Sequence, residues 1–547
     1  MASTQGHLIP VVILIGVTLL VWLPPVAGDF GHLRLSNPGD SESFAYYLSW
    51  NVHAIFTGQD PFFTPNLYAP DGLDLGNAIS LPYVSLLVSP IAAAFGGTAA
   101  YNVAFLLAVS LAAISIYLLA RLLFGSIVGA VLAGSLMVVS PYLVGHALGH
   151  LNLLWIFGLP LLAYVALRFV RGELRGVWLL VWCALIVAFT AGASTELLVT
   201  QSLFAVLALV VALVFARPWL RSRLVRSLPW LAGGFAAGVV LAIPVILAAL
   251  RSGLPELAGN PPDAYPADLT NFFAPTPVTL IGSEPFSGLW PLWRGNAAEN
   301  TAFIPASLWI LLAAYAFAVR SRLSAAIAAF AGLSAVASFG PYLTIAGQQT
   351  VMMPWRLAVE IPGVDHALPV RFSAFVFMAV LLLVAHAWAR RVVPRAVTAV
   401  AVAVSAALLF PNFGVLQFPT PAPISEYVSS GRLGEDVEPG DNVLVLPAGQ
   451  WGPGMRWQDE TDFVFSMPTG NGGGAVRPDA FDDPVGLALW ERDLGFDFDR
   501  TLVPYLERMG VDVVMVDEGH PEWLEIVRSA LGREGTEEDG VWVFDQW

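Results

Sequence analysis

Apolar runs of about twenty residues recur along this 547-residue chain from its start through residue 411, each long enough to cross a hydrocarbon core roughly 30 Å thick as a helix. No other feature restricts the fold as strongly, because only helices and closed barrels satisfy their own backbone groups in lipid. The chain is therefore read as an α-helical polytopic membrane protein. Composition agrees, with 12% charged residues against roughly 25% in soluble proteins, and a soluble enzyme is excluded. Every basic residue is an arginine. The 26 arginines stand against 41 acidic residues for a net charge of −15, which excludes a nucleic-acid binder that works by neutralising phosphates. A single cysteine, Cys183, lies in an apolar run, reads as a small buried hydrophobe, and rules out a disulfide framework or a cysteine metal cluster.

Cytoplasmic loops retain arginine, so the basic clusters orient the runs. Arg121; Arg168, Arg171 and Arg175; Arg217, Arg221, Arg223 and Arg226; Arg320 and Arg322; and Arg390, Arg391 and Arg395 each fall between two runs, with Glu173 the one acidic residue among them. The expected spans are 8–28, 99–120, 126–143, 151–168, 176–194, 197–216, 228–250, 301–319, 323–345, 370–389 and 395–411. This gives about eleven transmembrane helices in a multi-pass cell-membrane protein, with a cytoplasmic N-terminus and an exterior C-terminus. The first run lacks a basic leader and a small-residue cleavage site, and is read as a retained helix. Residues 79–97 are apolar but broken by Pro82 and Pro90, and counting them as a span would reverse every later loop. They are read as a surface-lying or re-entrant helix in the first exterior loop.

Two domains follow. Residues 1–411 form the transmembrane domain, with exterior loops at 29–98 and 251–300, and residues 412–547 form an acidic exterior soluble domain. The tail carries 26 acidic residues and 8 arginines, and strand-like NVLVLPAG and VDVVMVDE alternate with helix-like RTLVPYLERMG, as in a small α/β or α+β module.

Polar groups capable of chemistry collect on the expected exterior side, where cytosolic nucleotides do not reach, and the sequence has no Walker motif or dinucleotide fingerprint. An activated substrate must arrive through the membrane. Asp40 and Glu42 follow the first span and open an aromatic helix-like stretch with Phe44, Tyr46, Tyr47 and Trp50. Helix capping is one reading of these acids. The other is catalysis at the membrane surface, beside rings suited to stacking on sugar, with Tyr46 as a candidate acceptor contact.

The layout resembles the GT-C superfamily of membrane glycosyltransferases. The resemblance is carried by the acidic motif in a long first loop, the proline-bearing stretch ending FGG, and NVAFLLAVSLAAISIYLLARLLFGSIVGAVLAGSLMVVSP. The same progression is similar to that of protein O-mannosyltransferases and lipid A aminoarabinose transferases. The motifs YAPDG, SPYLVGHALGHLN, ADLTNFFAP and MPWRLAVEIPGVDHALPVRF resemble an uncharacterised GT-C-like group with a C-terminal exterior domain. The resemblance implies a polyprenyl-phosphate-linked sugar as donor and an exterior glycan, lipid or protein as acceptor. It also implies that Asp40 is the general base. An acceptor hydroxyl attacking the anomeric carbon loses a proton in the transition state, so the chemistry independently requires such a carboxylate.

Other candidates share the exterior side. His146 and His150 stand four apart in GHALGHLN, a spacing open to lipid-phosphate or sugar binding, to plain interface polarity, and to metal ligation. No cofactor is certain from the sequence, and a divalent ion is a candidate one. Glu196 is costly against lipid and is expected in a cavity. Asp268 and Glu299 are candidates for acceptor binding, or for capping and loop fixation. Arg356, His366 and Arg371 precede the tenth span, with Arg371 placed for bidentate phosphate pairing or for snorkelling to lipid headgroups. A different class of function, a transporter or flippase of lipid-linked glycans, would place ionisable residues near the bilayer midplane and show paired halves; here they collect at one boundary.

Overall fold

The computed structural model of the chain describes residues 5–37, 39–252, 263–360, 367–449, 452–471 and 482–545. Among these, seven helices are long and apolar enough to cross a membrane: Pro82–Phe124, Ile127–His146, Leu151–Val170, Gly176–Ala193, Thr195–Phe215, Pro218–Leu241 and Pro369–Arg390. Four shorter apolar helices, Gly6–Trp22, Ala306–Ala318, Arg322–Ser338 and Arg395–Leu408, bring the set to the eleven expected.

Several boundaries differ from the sequence reading, each for a local reason. The helix expected to run to residue 345 ends at Ser338, because Gly340 adopts a left-handed φ of 69° and Pro341 cannot continue a helix. A hairpin of Tyr342–Ile345 and Gln348–Met352 follows. The helix expected from residue 228 begins at Pro218, whose fixed φ suits the first turn, so Arg221, Arg223 and Arg226 lie within the helix and not in a loop. Pro82–Phe124 is broken at Gly96 (φ 73°, ψ 176°), which separates the stretch expected to be distinct from the span that follows it.

The chain divides into two compact units. The first takes the described parts of Met1–Ala27, Phe105–Ile243 and Leu257–Phe418, and the second those of Gly28–Ala104, Pro244–Glu256 and Pro419–Trp547. At the centre of the first unit is Ser373–Arg390, a helix buried on nearly every face and packed against Ile127–Val138, Arg322–Ser338 and Ala306–Ala318. Apolar all round is what a fully enclosed helix requires. Thr195–Phe215, by contrast, exposes Val199, Leu203, Val206, Val210 and Val214 in a stripe at three- and four-residue spacing, the pattern of a helix with one face toward lipid. Gly176–Ala193 and Pro218–Leu241 pack closely at Gly234 and Gly238, where an added Cβ would lie 2.6 Å from Cys183 Cβ and from Val187 Cβ. Small residues four apart allow such backbone approach in membranes.

The second unit holds a four-stranded sheet in the order Val443–Leu446, Val513–Asp517, Val541–Phe544, Thr536–Glu538; the first pair is parallel and the others antiparallel. Helices Pro484–Glu491, Phe498–Met509 and Pro521–Leu531 supply Leu489, Leu502, Leu506, Trp523 and Val527 to its core. This is the α/β module expected of the tail. The same unit includes much of the first long loop: Leu33–Arg34 pairs with Thr420–Pro421, and helix Ser41–Thr57 packs on Gly454–Glu460.

Candidate functional site

In the first unit, five sequence candidates from distant parts of the chain meet around Arg371. Its Nη1 donates to Glu196 Oε2 at 2.5 Å, its Nε to Glu299 Oε2 at 2.9 Å, and its Nη2 to Glu299 Oε1. His146 Nε2 lies 3.9 Å from Glu299 Oε2, and the Nδ1 atoms of His146 and His150 are 3.2 Å apart.

Local sequence explains each placement. Ser140 Oγ accepts from Leu143 N and starts the short helix Pro141–His146, whose last residue is His146. Gly145 lets that helix approach the Ala298 carbonyl, which an added Cβ would meet at 2.3 Å, and so brings His146 to the loop that carries Glu299. Asn296 Oδ1 holds that loop through Glu299 N at 3.0 Å. Glu196 sits in the first turn of Thr195–Phe215, capped by Ser194 on Leu197 N, where a helix favours negative charge. Arg371 lies in the turn Pro369–Phe372 that leads into Ser373–Arg390. Tyr142, one helical turn before His146 and not singled out from the sequence, holds the imidazole edge-to-face at a ring separation of 4.3 Å. The four-residue spacing was its only signal.

The electrostatics are those of a partly buried network. Burial alone would raise the Glu299 carboxyl, but the Arg371 guanidinium outweighs it and brings the carboxyl down to about 2. One guanidinium against two carboxylates leaves net negative charge. His146, His150 and Glu299 can bring their ligand atoms within 4.8 Å of one another, and buried His146 Nε2 has no hydrogen-bond partner. Two imidazoles and a carboxylate are a fitting set for a divalent transition-metal ion, so the residues present suit a metal.

The other candidates are placed elsewhere. Asp268 is buried, and its oxygens accept from Thr270 N, Thr270 Oγ1, Ala346 N and Gly347 N at 2.6–3.0 Å, which fixes one loop to the turn of the hairpin. Arg356 is partly exposed and pairs with Glu360. His366 lies outside the described residues.

Asp40 and Glu42 belong to the second unit and differ sharply there. Glu42 is enclosed: Arg34 Nη2 donates to its Oε2 at 2.6 Å, and Arg456 Nε lies 3.3 Å from its Oε1. Burial raises its carboxyl, but the two arginines together hold it below the usual value. Neither arginine was marked by the sequence reading, and Arg456 is too distant in the chain for any spacing rule to find. Asp40 precedes helix Ser41–Thr57 yet its side chain makes no capping bond. Among the described residues its half-buried carboxylate has no hydrogen-bond or ion-pair partner. Tyr46 is buried, bonded to Thr64 Oγ1 at 3.1 Å and packed against Trp50 and Phe463.

No protein-family model matches the sequence, and no curated protein matches it. Among solved structures, the chain is similar to the oligosaccharyltransferase of Archaeoglobus fulgidus tethered to an acceptor peptide containing the NVT sequon, at 14% identity over 97% of this chain and 72% of that chain, with a TM-score of 0.50. It is also similar to AglB from Archaeoglobus fulgidus in complex with an inhibitory peptide and a dolichol-phosphate, at 14% identity over 99% and 74% of the two chains and a TM-score of 0.49. ArnT from Cupriavidus metallidurans is similar at 13% identity over 99% and 98%, with a TM-score of 0.47. At such identity the likeness to the tethered oligosaccharyltransferase is one of fold alone.

Proposed function

We propose that this chain is a membrane glycosyltransferase that moves a sugar from a polyprenyl-phosphate donor to a hydroxyl on an exterior glycan, lipid or protein acceptor, with inversion at the anomeric carbon. The cluster around Arg371 is the observation that carries the reading. Ionisable groups at the ends of membrane helices are expensive, and a network of five, with His146, Glu299 and Arg371 largely buried and His150 and Glu196 partly exposed, suits a polar substrate better than lipid. The fold shared with an oligosaccharyltransferase supports the reaction class.

Each residue then has a role. Glu196 and Glu299 fix the Arg371 guanidinium from two sides, while second hydrogens on Nη1 and Nη2 remain for phosphate oxygens. His146, His150 and Glu299 would hold a divalent ion, whose charge would stabilise the departing phosphate. Asp40 takes the proton of the acceptor hydroxyl as the new C–O bond forms and the bond to phosphate breaks. Its unpaired carboxylate supports that role, since a base locked in an ion pair is poorly available. Glu42, held by Arg34 and Arg456, instead stabilises the start of the helix that Asp40 precedes.

The test is incubation of the purified protein with a panel of polyprenyl-phosphate sugars and candidate acceptors, read by mass spectrometry. One donor should be consumed with release of polyprenyl phosphate. Asp40→Asn, with an unchanged thermal melt, should lower turnover by about 10²- to 10⁴-fold while donor binding persists. A folded Asp40→Asn variant as active as the parent would remove Asp40 from the mechanism. No turnover of any polyprenyl-phosphate sugar by folded parent would overturn the donor assignment.

A further inference from the structure

We propose that the first unit holds a second lipid site, for a membrane phospholipid with an anionic headgroup, at the arginine-bearing end of its helices. A cavity of about 1160 Å³ opens among Gly158–Val170, Thr195–Phe215, Pro218–Leu241, Arg322–Ser338 and Ser373–Arg390. It is built along the helices and not across them. On Gly158–Val170 the lining residues Leu159, Ala163 and Leu167 occupy one face and lead to Arg171 just beyond the last turn. Twelve helical steps make that wall about 18 Å long. On Ser373–Arg390 the lining runs from Met378 through Leu382 to Arg390 in the same direction.

Charge is confined to one end. Arg171, Arg217, Arg223, Arg320, Arg322 and Arg390 line the cavity where these helices begin or finish, and no carboxylate lines it. Among the described residues Arg171, Arg217, Arg320 and Arg322 have no hydrogen-bond or ion-pair partner, while Arg223 and Arg390 bond only to the Val170 carbonyl and to His386. The deeper walls are aliphatic and aromatic, including Val211 and Phe330.

This layout selects its occupant. A soluble anion would satisfy the arginines and leave an apolar length of about 18 Å unfilled. A neutral lipid would fill that length and leave the arginines uncompensated. A phosphate headgroup on a hydrocarbon chain meets both demands, with guanidinium pairing at one end and apolar burial along the rest. Arginines in such loops also serve to retain them in the cytoplasm. Retention needs neither a cavity nor the absence of carboxylates from its lining. The site does not rest on the donor reading: Arg371 and Arg390 bracket one helix, about 28 Å apart along its axis.

The proposal is tested on full-length protein exchanged into neutral detergent and titrated with phosphatidylglycerol, with chain-matched phosphatidylcholine and with inorganic phosphate, followed by native mass spectrometry and thermal melting. Phosphatidylglycerol should be retained and should raise the melting temperature, while the other two should do neither. Removing charge should weaken phosphatidylglycerol by about fivefold per arginine, so the Arg217→Gln/Arg320→Gln/Arg322→Gln variant should lose about a hundredfold. Because that variant also alters the loops, Ala163→Phe provides an independent arm by filling the apolar wall while keeping every arginine. It should reduce lipid retention with an unchanged melt in lipid-free detergent. Equal retention of phosphatidylcholine, phosphate binding as tight as that of the lipid, or undiminished phosphatidylglycerol in either folded variant would each overturn the site.

Discussion

Arg371 and Arg34 are both nearly buried and both bound to carboxylates, yet their surroundings give them different uses. Arg371 shares its charge between two glutamates, and Arg34 shares one glutamate with Arg456. Breaking a buried pair leaves an uncompensated charge and costs about 3–5 kcal/mol. Arg371→Gln should therefore lower the melting temperature of the purified protein clearly, and Arg371→Lys should recover only part of it, because an ammonium cannot reproduce the two-sided fork. A fully restored melt in the lysine variant would show that charge alone matters there. In the second unit, two carboxyls shift in opposite directions. Glu42 is held low by its arginines, so its contribution is present above the ordinary value of 4.5 and is lost as pH falls through its lower folded value. Asp459, which accepts from Gly97 N at 2.7 Å, is raised from 3.8 to about 6, chiefly by desolvation and then by neighbouring Glu460 and Glu42. Its folded form holds a proton that the unfolded chain has released between those values, so stability falls as pH rises from about 4 to 6. Asp459→Asn keeps the acceptor oxygen and removes the titration. It should melt higher than the parent at pH 7 and equally at pH 3.5; an equal difference at both would refute this origin.

At the scale of elements, hydropathy is local while packing is not, and legibility in the sequence divides along that line. The eleven apolar helices could be read because each run states its own length. Gly96 and Gly340 ended or broke helices as glycine in a left-handed conformation does. The cluster around Arg371 was legible as candidates, since carboxylates and histidines beside apolar runs are costly unless used. Their meeting was not, because Glu196 and Arg371 are brought together only by tertiary packing: Thr195–Phe215 and Ser373–Arg390 both pack on Arg322–Ser338, and the rings of Phe204 and Phe375 stack at 4.1 Å. In the second unit, His53 bonds Asp462 across the chain at 2.9 Å, and no periodicity in either segment announces it. A missed signal did exist in GGFAAG at 233–238, where Gly234 and Gly238 mark a close helix crossing. Gly238→Leu must displace Val187 and the Ala184 carbonyl, which an added Cβ would meet at 2.6 and 2.8 Å, and should cost at least about 1–3 kcal/mol in thermal melting. Neighbouring Gly233 meets only the flexible end of Leu180 at 3.3 Å, so Gly233→Ala should be nearly neutral. Helix propensity favours both replacements, so equal losses at the two positions would refute the crossing as the cause.

For the whole molecule, the arginine alternation would orient every apolar helix at once, and the orientation decides which chemistry can reach each cluster. If the loops bearing Arg168, Arg171 and Arg175 face the cytoplasm, then Glu196 and Arg371, at the other ends of their helices, face outward, where a lipid-linked donor is the available activated sugar. Cys183 is buried and the only cysteine, so Cys183→Ser gives a background in which single cysteines can be introduced. Glu173 lies in an arginine-bearing loop with its side chain 44% exposed, and Glu534 lies in the acidic module with its side chain 86% exposed, so both positions accept a reagent without disturbing the core. In intact cells a membrane-impermeant maleimide should label Glu534→Cys and leave Glu173→Cys unlabelled until the membrane is opened. Labelling of Glu173→Cys alone would invert the molecule. The Arg371 cluster would then face cytosolic nucleotide sugars, which require no lipid carrier, and the polyprenyl-phosphate donor would lose its physical motive even if the fold stood unchanged.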